Sequence, residues 1–372
     1  MRLGIDVSTY FEELQHGAQY FDGDGQKAVE PLEEFRKNGV DIMRIRVWVD
    51  PYGENGEPFL AGTCDLDNFV RLAQLSQEKG YKIMLDFHYS DFWCDPGKQF
   101  LPKKWRGLTL EQLVEEVYRY TVEVCEVSRQ NGITPEYIQV GNEITNGMLW
   151  PVGKLRGGKN GAKRTNYKAF CQLLKAGVKG CRQVFPQSKL ILHLERSYDQ
   201  VVYNEFFTSM EKYGVDYDVI GFSYYPSWHG TFEQLFANID MCKKFGKEEM
   251  IVETGYPFTG EDYVQNMNDD VHLCVVGNGL LPESFSKEYP LTPAGQTDFL
   301  RTLLRGAEEH GVSAVCWWEP AWIPGEGICW ASKAAQKYIH DESKSTRNEW
   351  ANQCLFDYDG KKLPAFDVFK VK

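Results

Sequence analysis

Residues 1–10 read MRLGIDVSTY, and the turn at their end decides the fold. The apolar run Leu3–Val7 reads as a strand, and Asp6-Val7-Ser8-Thr9-Tyr10 leaves it without a G-x-G-x-x-G pattern. A doubly wound open sheet favours a glycine-rich turn at that place, so that architecture is disfavoured. Seven more short apolar runs follow: Ile42–Val49, Ile83–Phe87, Tyr137–Val140, Leu190–Leu194, Val219–Ser223, Met250–Val252 and Ala314–Trp317. Segments of helical period lie between them, at roughly 29–38, 66–79, 110–130, 167–184, 200–213, 232–245 and 295–310. Thr109 before Leu110-Glu111-Gln112 has capping-box spacing, and Thr292-Pro293 offers an N-cap followed by proline. Gly39, Gly80, Gly132 and Gly311 each stand just past a helix end. Continuous apolar strands alternating with helices imply a parallel sheet covered by helices. Eight such units predict a single (β/α)8 TIM barrel, with residues 1–372 forming one domain. No linker, low-complexity tract or long charge run divides the chain.

Composition narrows the function. Forty-one Lys and Arg against 53 Asp and Glu give a net charge of -12, which argues against a protein that tracks nucleic-acid phosphates. No stretch approaches the about 18 apolar residues of a membrane-crossing helix. The first residues carry no signal-peptide pattern, so a cytoplasmic location is expected unless a leader has been removed. The ten cysteines include no C-x-x-C pair; Cys125, Cys171 and Cys316 lie in apolar patterns and read as buried thiols. Aromatic residues make up 14% of the chain; most of these rings fill a core, and those near a site can stack on the apolar faces of sugars or bases.

In a barrel, polar residues at the C-terminal ends of strands meet in one crevice, built by the loops that follow those strands. Here those loops are long after the third, fourth and seventh runs, at 88–109, 142–166 and 254–292. The polar and aromatic residues near the strand ends include Asp6, Arg44, Arg46, Asp86, His88, Asp91, Trp93, Asn142, Glu143, His193, Glu195, Tyr224, Tyr225, Glu253, Trp318 and Glu319. Glu143 ends the apolar run Ile138-Gln139-Val140-Gly141-Asn142, and Glu253 ends Met250-Ile251-Val252. Either one alone reads equally well as the partner of a nearby arginine. Together, on the fourth and seventh strands of one barrel, they can face each other across the mouth. Cleavage of a glycosidic bond needs such a pair, one carboxyl protonated and one ionised.

The chain resembles family 53 of the glycoside hydrolases, the endo-β-1,4-galactanases. The matching segments are Gly4–Ser8, Met43–Pro51 (MRIRVWVDP), Leu85–Pro96 (LDFHYSDFWCDP), Val140–Pro151 (VGNEITNGMLWP), Ile220–Thr231 (IGFSYYPSWHGT), Glu253–Phe258 (ETGYPF), Trp318–Trp322 (WEPAW) and Asn352–Phe369. They run from the first strand to the last residues. The resemblance implies that Glu143 is the general acid/base and Glu253 the nucleophile of a retaining mechanism. It implies that Asn142 bonds the sugar 2-hydroxyl, that Arg46 holds the nucleophile ionised, and that Tyr224 donates to Glu253. His88, Asp91, Trp93, Trp228 and Trp318 would line the cleft, with Trp318 the stacking platform; Asp86 and His193 join the substrate-binding set. For Trp93 and Trp228 a core role reads equally well, and Trp48 reads as core. The implied partner is β-1,4-linked galactan or a galacto-oligosaccharide, with no cofactor and no metal called for.

Two segments depart from the family. His193-Leu194-Glu195-Arg196-Ser197 replaces a His followed by Asp-Asn-Gly, which brings new charges to the cleft. The loop at 259–292 carries Asp269, Asp270 and His272 without calcium-binding spacing, and Asp22-Gly23-Asp24-Gly25 reads as a turn. Three alternatives stay open: exo action or oligosaccharide trimming on the same fold, another β-glycan as substrate, and a non-catalytic carbohydrate-binding barrel.

Overall fold

The computed structural model describes residues 1–157, 164–263, 281–342 and 346–370. Eight parallel strands close a barrel: β1 (Arg2–Asp6), β2 (Ile42–Val47), β3 (Lys82–Phe87), β4 (Tyr137–Val140), β5 (Lys189–Leu194), β6 (Val219–Tyr224), β7 (Glu248–Thr254) and β8 (Ala314–Trp318). β8 pairs with β1 from Arg2↔Ala314 to Asp6↔Trp318, which shuts the ring. Each apolar run of the sequence is one of these strands. The helices between them include Pro31–Lys37, Leu66–Glu78, Leu110–Gln130, Tyr167–Val184, Gln200–Tyr213, Phe232–Cys242 and Pro293–Glu309. Thr109 forms the capping box with Gln112, and Thr292 caps the helix that begins at Pro293.

Side chains alternate across each strand. The outward set, among them Leu3, Ile5, Ile45, Leu85, Ile138, Val140, Leu192 and Ile220, packs under the helices in the main core. The inward set starts low in the barrel with Ile42, Met84, Tyr137, Ile191, Val219, Met250, Val252, Ala314 and Cys316. Space there is narrow. A Cβ on Gly4 would sit 2.5 Å from the Cys316 sulfur, so glycine is what leaves room for that side chain inside the barrel. Higher up, the inward residues turn polar: Asp6, Arg44, Asp86, Gln139, His193 and Ser223 are all fully buried.

One strand breaks the alternation. The pairing of β7 with β6 and with β8 shifts register, so that Ile251 pairs with Phe222 and Glu253 with Ser223. This bulge lets Val252 face the barrel interior while the next residue, Glu253, also turns inward to the mouth.

Several short elements lie outside what periodicity can reveal: helices Tyr10–Gln15, Pro226–His229, Glu283–Glu288 and Lys333–Ile339, and an antiparallel pair Gly147–Met148/Gly153–Lys154. A second aromatic cluster roofs part of the mouth, with Trp48, Phe92, Trp93, Trp318, Trp322 and Trp350 among its members. Trp48 is fully buried there, as a core residue. Asp22 accepts from the N–H groups of Gln26 and Lys27, closing the turn read from Asp22–Gly25. Asp269, Asp270 and His272 lie outside the described residues. Among the described residues, no helix is long and apolar enough to cross a membrane.

Candidate active site

The loops after the strands enclose a cleft of about 530 Å³ whose lining includes His88, Trp93, Asn142, Glu143, Trp228, Glu253 and Trp318. Glu143 follows β4 in a left-handed conformation (φ 49°), which swings its side chain over the mouth. Glu253 arrives from β7 by the bulge. A carboxylate oxygen of each lies within 4.8 Å of the other and of a ring nitrogen of His193. That triangle is small enough for a cation, but both nitrogens of His193 are already engaged, Nε2 with Ser223 (2.7 Å) and Nδ1 with Asn142 (2.9 Å). Among the described residues no other group of His, Cys, Asp and Glu converges in this way.

The two carboxyls sit in different fields. Glu143 is pushed well above the carboxylate range by burial, then by the charges of Glu253 and Glu195, and one oxygen lies 2.7 Å from the Ser223 hydroxyl. Burial also raises Glu253, but the Arg44 guanidinium 2.8 Å away opposes it, and the Tyr225 hydroxyl donates to it at 3.3 Å. Glu253 is therefore the carboxyl that ionises first, and Glu143 the one that keeps its proton.

The buried ion network differs from expectation at Arg46. It is Arg44 that holds Glu253, together with Asp6 (2.9 Å) and Asp86 (2.8 Å). Arg46, two residues on, points the same way but one layer higher, and pairs with Glu319 (2.5 Å) and Asp6 (3.2 Å). Its guanidinium lies 4.3 Å from the Trp93 ring centroid, beneath the aromatic wall. Tyr224 needs the same kind of correction. It pairs with Thr254 on the outward side of the sheet, packs against Phe232 and Phe299, and donates to the Gly230 carbonyl. Tyr225, after the strand ends, is the hydroxyl that reaches Glu253.

Asp91 also turns away from the cleft, because its carboxylate accepts from the Lys103 backbone N–H (2.7 Å) and ammonium (3.0 Å). Asp86 and His193 are fully buried below the cleft lining. Asp86 anchors Arg44 and accepts from His88 Nε2 (3.1 Å), whose Nδ1 accepts from the Cys94 N–H; burial keeps that imidazole neutral to lower pH. Asn142 borders the cleft with its amide held by Arg44, Gln139, His193 and Cys94. Trp93 and Trp318 serve both cleft and core, whereas Trp228 is 45% exposed at the rim.

The sequence places Arg44 and Tyr225 at strand ends without giving either a role, and gives none to Ser223, His229, Trp330 or Trp350; Tyr225, His229, Trp330 and Trp350 line the cleft. Arg44 carried a signal, since it shares the inward face with Arg46. Glu195, flagged as a departure, is a third cleft carboxyl, buried and raised to about 7 mainly by that burial.

A closed barrel that presents two unequal carboxyls across its mouth has the architecture of a glycoside hydrolase. The family described as Glycosyl hydrolase family 53 matches residues 2–369. The Ignisphaera aggregans GH53 catalytic domain superposes with a TM-score of 0.86 at 33% identity, covering 99% of this chain and 94% of that one. An endo-beta-1,4-galactanase of Bacillus subtilis is 30% identical across 99% of this chain and 85% of its own length. An arabinogalactan endo-beta-1,4-galactanase of Cellvibrio japonicus is 31% identical across 99% and 90%. The chain belongs to glycosyl hydrolase family 53 and is a glycosidase.

Proposed function

We propose that this enzyme is an endo-acting β-1,4-galactanase that cleaves galactan of the type I arabinogalactan class, and oligosaccharides derived from it, by retaining double displacement. The observation that carries the reading is the facing pair, Glu143 and Glu253, at a separation in keeping with the about 5–5.5 Å of retaining enzymes. Glu253, kept ionised by Arg44 and oriented by Tyr225, attacks the anomeric carbon. Glu143 protonates the departing oxygen, and the galactosyl ester forms on Glu253. With that ester in place the Glu253 charge is gone, so the affinity of Glu143 for a proton falls and it can deprotonate the incoming water. Trp318 offers its face to the sugar at the cleaved bond.

The galactan assignment rests on the names of the related proteins. Endo action is supported by a groove that continues past Glu143: a second cavity, bordered by Asn146, Trp150 and Lys154, shares Pro96, Gly97 and Arg196 with the cleft. Incubation with linear β-1,4-galactan tests the reading. A ladder of oligosaccharides is expected from the parent enzyme and none from Glu143→Ala or Glu253→Ala. A single short product would make the enzyme exo-acting, and turnover of another β-glycan alone would refute the substrate.

A further inference from the structure

Ser223, on β6, is a hydroxyl the mechanism above leaves without a role. Its Oγ stands 2.7 Å from Glu143 Oε1 and 2.7 Å from His193 Nε2. A hydroxyl carries one hydrogen, so Ser223 can donate to only one of the two. The other face of the imidazole decides which. His193 Nδ1 lies 2.9 Å from Asn142 Oδ1. That amide cannot be turned over, because Oδ1 accepts from Arg44 (2.8 Å) and Gln139 (3.0 Å) while Nδ2 donates to the Cys94 carbonyl (2.9 Å). A bare Nδ1 would set a lone pair against that oxygen. The hydrogen of neutral His193 therefore sits on Nδ1, and Nε2 is bare. The backbone N–H of Glu143, 3.4 Å from Nδ1, is at the limit of a hydrogen bond and does not reverse this. A bare Nε2 at 2.7 Å takes the Ser223 hydrogen. What Ser223 then offers Glu143 is a lone pair, which suits a protonated carboxyl.

Taking Glu143 as the acid/base, as proposed above, we infer that Ser223 and His193 form a latch that holds Glu143 in its protonated state: Asn142 sets the His193 tautomer, and the tautomer makes Ser223 an acceptor. The proton still passes from Glu143 to the departing oxygen, and His193 stays neutral throughout. Once Glu143 is ionised, the Ser223 hydroxyl turns to the carboxylate and Nε2 loses its partner. That lost bond is what favours the acid form. Ser223 and His193 are thus positioning residues for the proton. Other groups share this space. Glu253 from β7, Glu195 from the end of β5, Asp95 after β3, Tyr203 from the helix Gln200–Tyr213 and Tyr225 after β6 face Glu143, while Arg44, His88 and His229 face His193.

The test is the pH dependence of kcat/KM on linear galactan, whose basic limb reports ionisation of the acid in the free enzyme. His193→Asn keeps a polar group toward Asn142 but does not extend to Ser223, so the hydroxyl becomes free to donate to the carboxylate. The basic limb should move down by about one pH unit, a tenfold change in the ionisation constant. In a Ser223→Ala background the same substitution should not move it. A limb that stays in place, or that moves equally with and without Ser223, overturns the latch. Glu143→Ala separates this from the parent reading: a variant that retains the basic limb would remove Glu143 as the acid. If the limb vanishes in Glu143→Ala yet ignores His193→Asn, the latch alone fails. Nitrogen-15 NMR of the labelled, unsubstituted enzyme gives a check that no variant can spoil. It should find the His193 hydrogen on Nδ1, and a hydrogen on Nε2 would overturn the inference.

Discussion

The barrel interior has two layers, and they use the same strands for opposite purposes. Low in the barrel, Ile42, Met84, Tyr137 and Ile191 pack as an apolar plug. Two residues further along the same strands stand Arg44, Asp86, Gln139 and His193, fully buried and polar. Apart from the Tyr137 hydroxyl, which accepts from Arg2 (3.3 Å), the lower layer is satisfied by contact, so its aliphatic members can be exchanged for others of similar volume. The upper layer is a chain of mutual obligations: Arg44 links Asp6, Asp86 and Glu253, and Gln139 ties Asp86 to Asn142. Removing one member there leaves several buried groups unpaired. The upper layer is thus held in place by its charges and hydrogen bonds, and it stands on a plug that has no part in the proposed chemistry.

Substitutions that break this contrast should fall in a clear order. Glu253→Gln removes the proposed nucleophile, and kcat should fall by about 10⁴-fold or more with the fold intact by circular dichroism. The same variant should lower the proton affinity of Glu143, because the charge that raises it is gone; carbon-13 NMR of the labelled carboxyl would follow that shift. Arg44→Met should damage both layers' functions. It strands Asp6, Asp86 and Glu253 and should cost about 3–5 kcal/mol in denaturant unfolding. In whatever activity remains, Glu253 holds its proton to higher pH without the guanidinium, so the acidic limb of the profile should move upward. Ile191→Ala in the plug should cost about 2–5 kcal/mol while leaving kcat at its starting value. A plug substitution that lowered kcat as strongly as stability would dissolve the distinction between the layers. The finest cut is between neighbours: Tyr225→Phe should lower kcat by about tenfold, whereas Tyr224→Phe should change only stability, by about 1 kcal/mol.

That last pair also shows where sequence stops being informative. The eight strands and the main helices could be read with little error, because each rests on local signals: apolar runs, capping threonines, and glycines past helix ends. The two glutamates could be read because each ends an apolar strand. The sequence Ser223-Tyr224-Tyr225 contains both a core tyrosine and a site tyrosine, and only the strand's pleat and its end tell them apart. Arg44 and Arg46 share a face by alternation. Their two-residue offset sets their heights in the barrel, but the sequence does not carry which carboxylate from another strand stands at each height, Glu253 for one and Glu319 for the other. The β7 bulge is a tertiary feature, since strict alternation from Val252 would send Glu253 outward. Asp91 leaves the cleft because its partner, Lys103, lies in the same long loop and draws it away, a contact that strand-end position does not reveal. Short helices such as Pro226–His229 span too few residues for any period to show.

The central claim is that Glu253 attacks directly while Glu143 serves first as acid and then as base. Proton NMR of the anomeric region during early hydrolysis of a β-1,4-galacto-oligosaccharide tests it most directly. The account predicts that the β-anomer of the new reducing end appears first and that the α-anomer grows in only by mutarotation. Initial release of the α-anomer would mean a single displacement by water, and would contradict the roles assigned to both carboxyls.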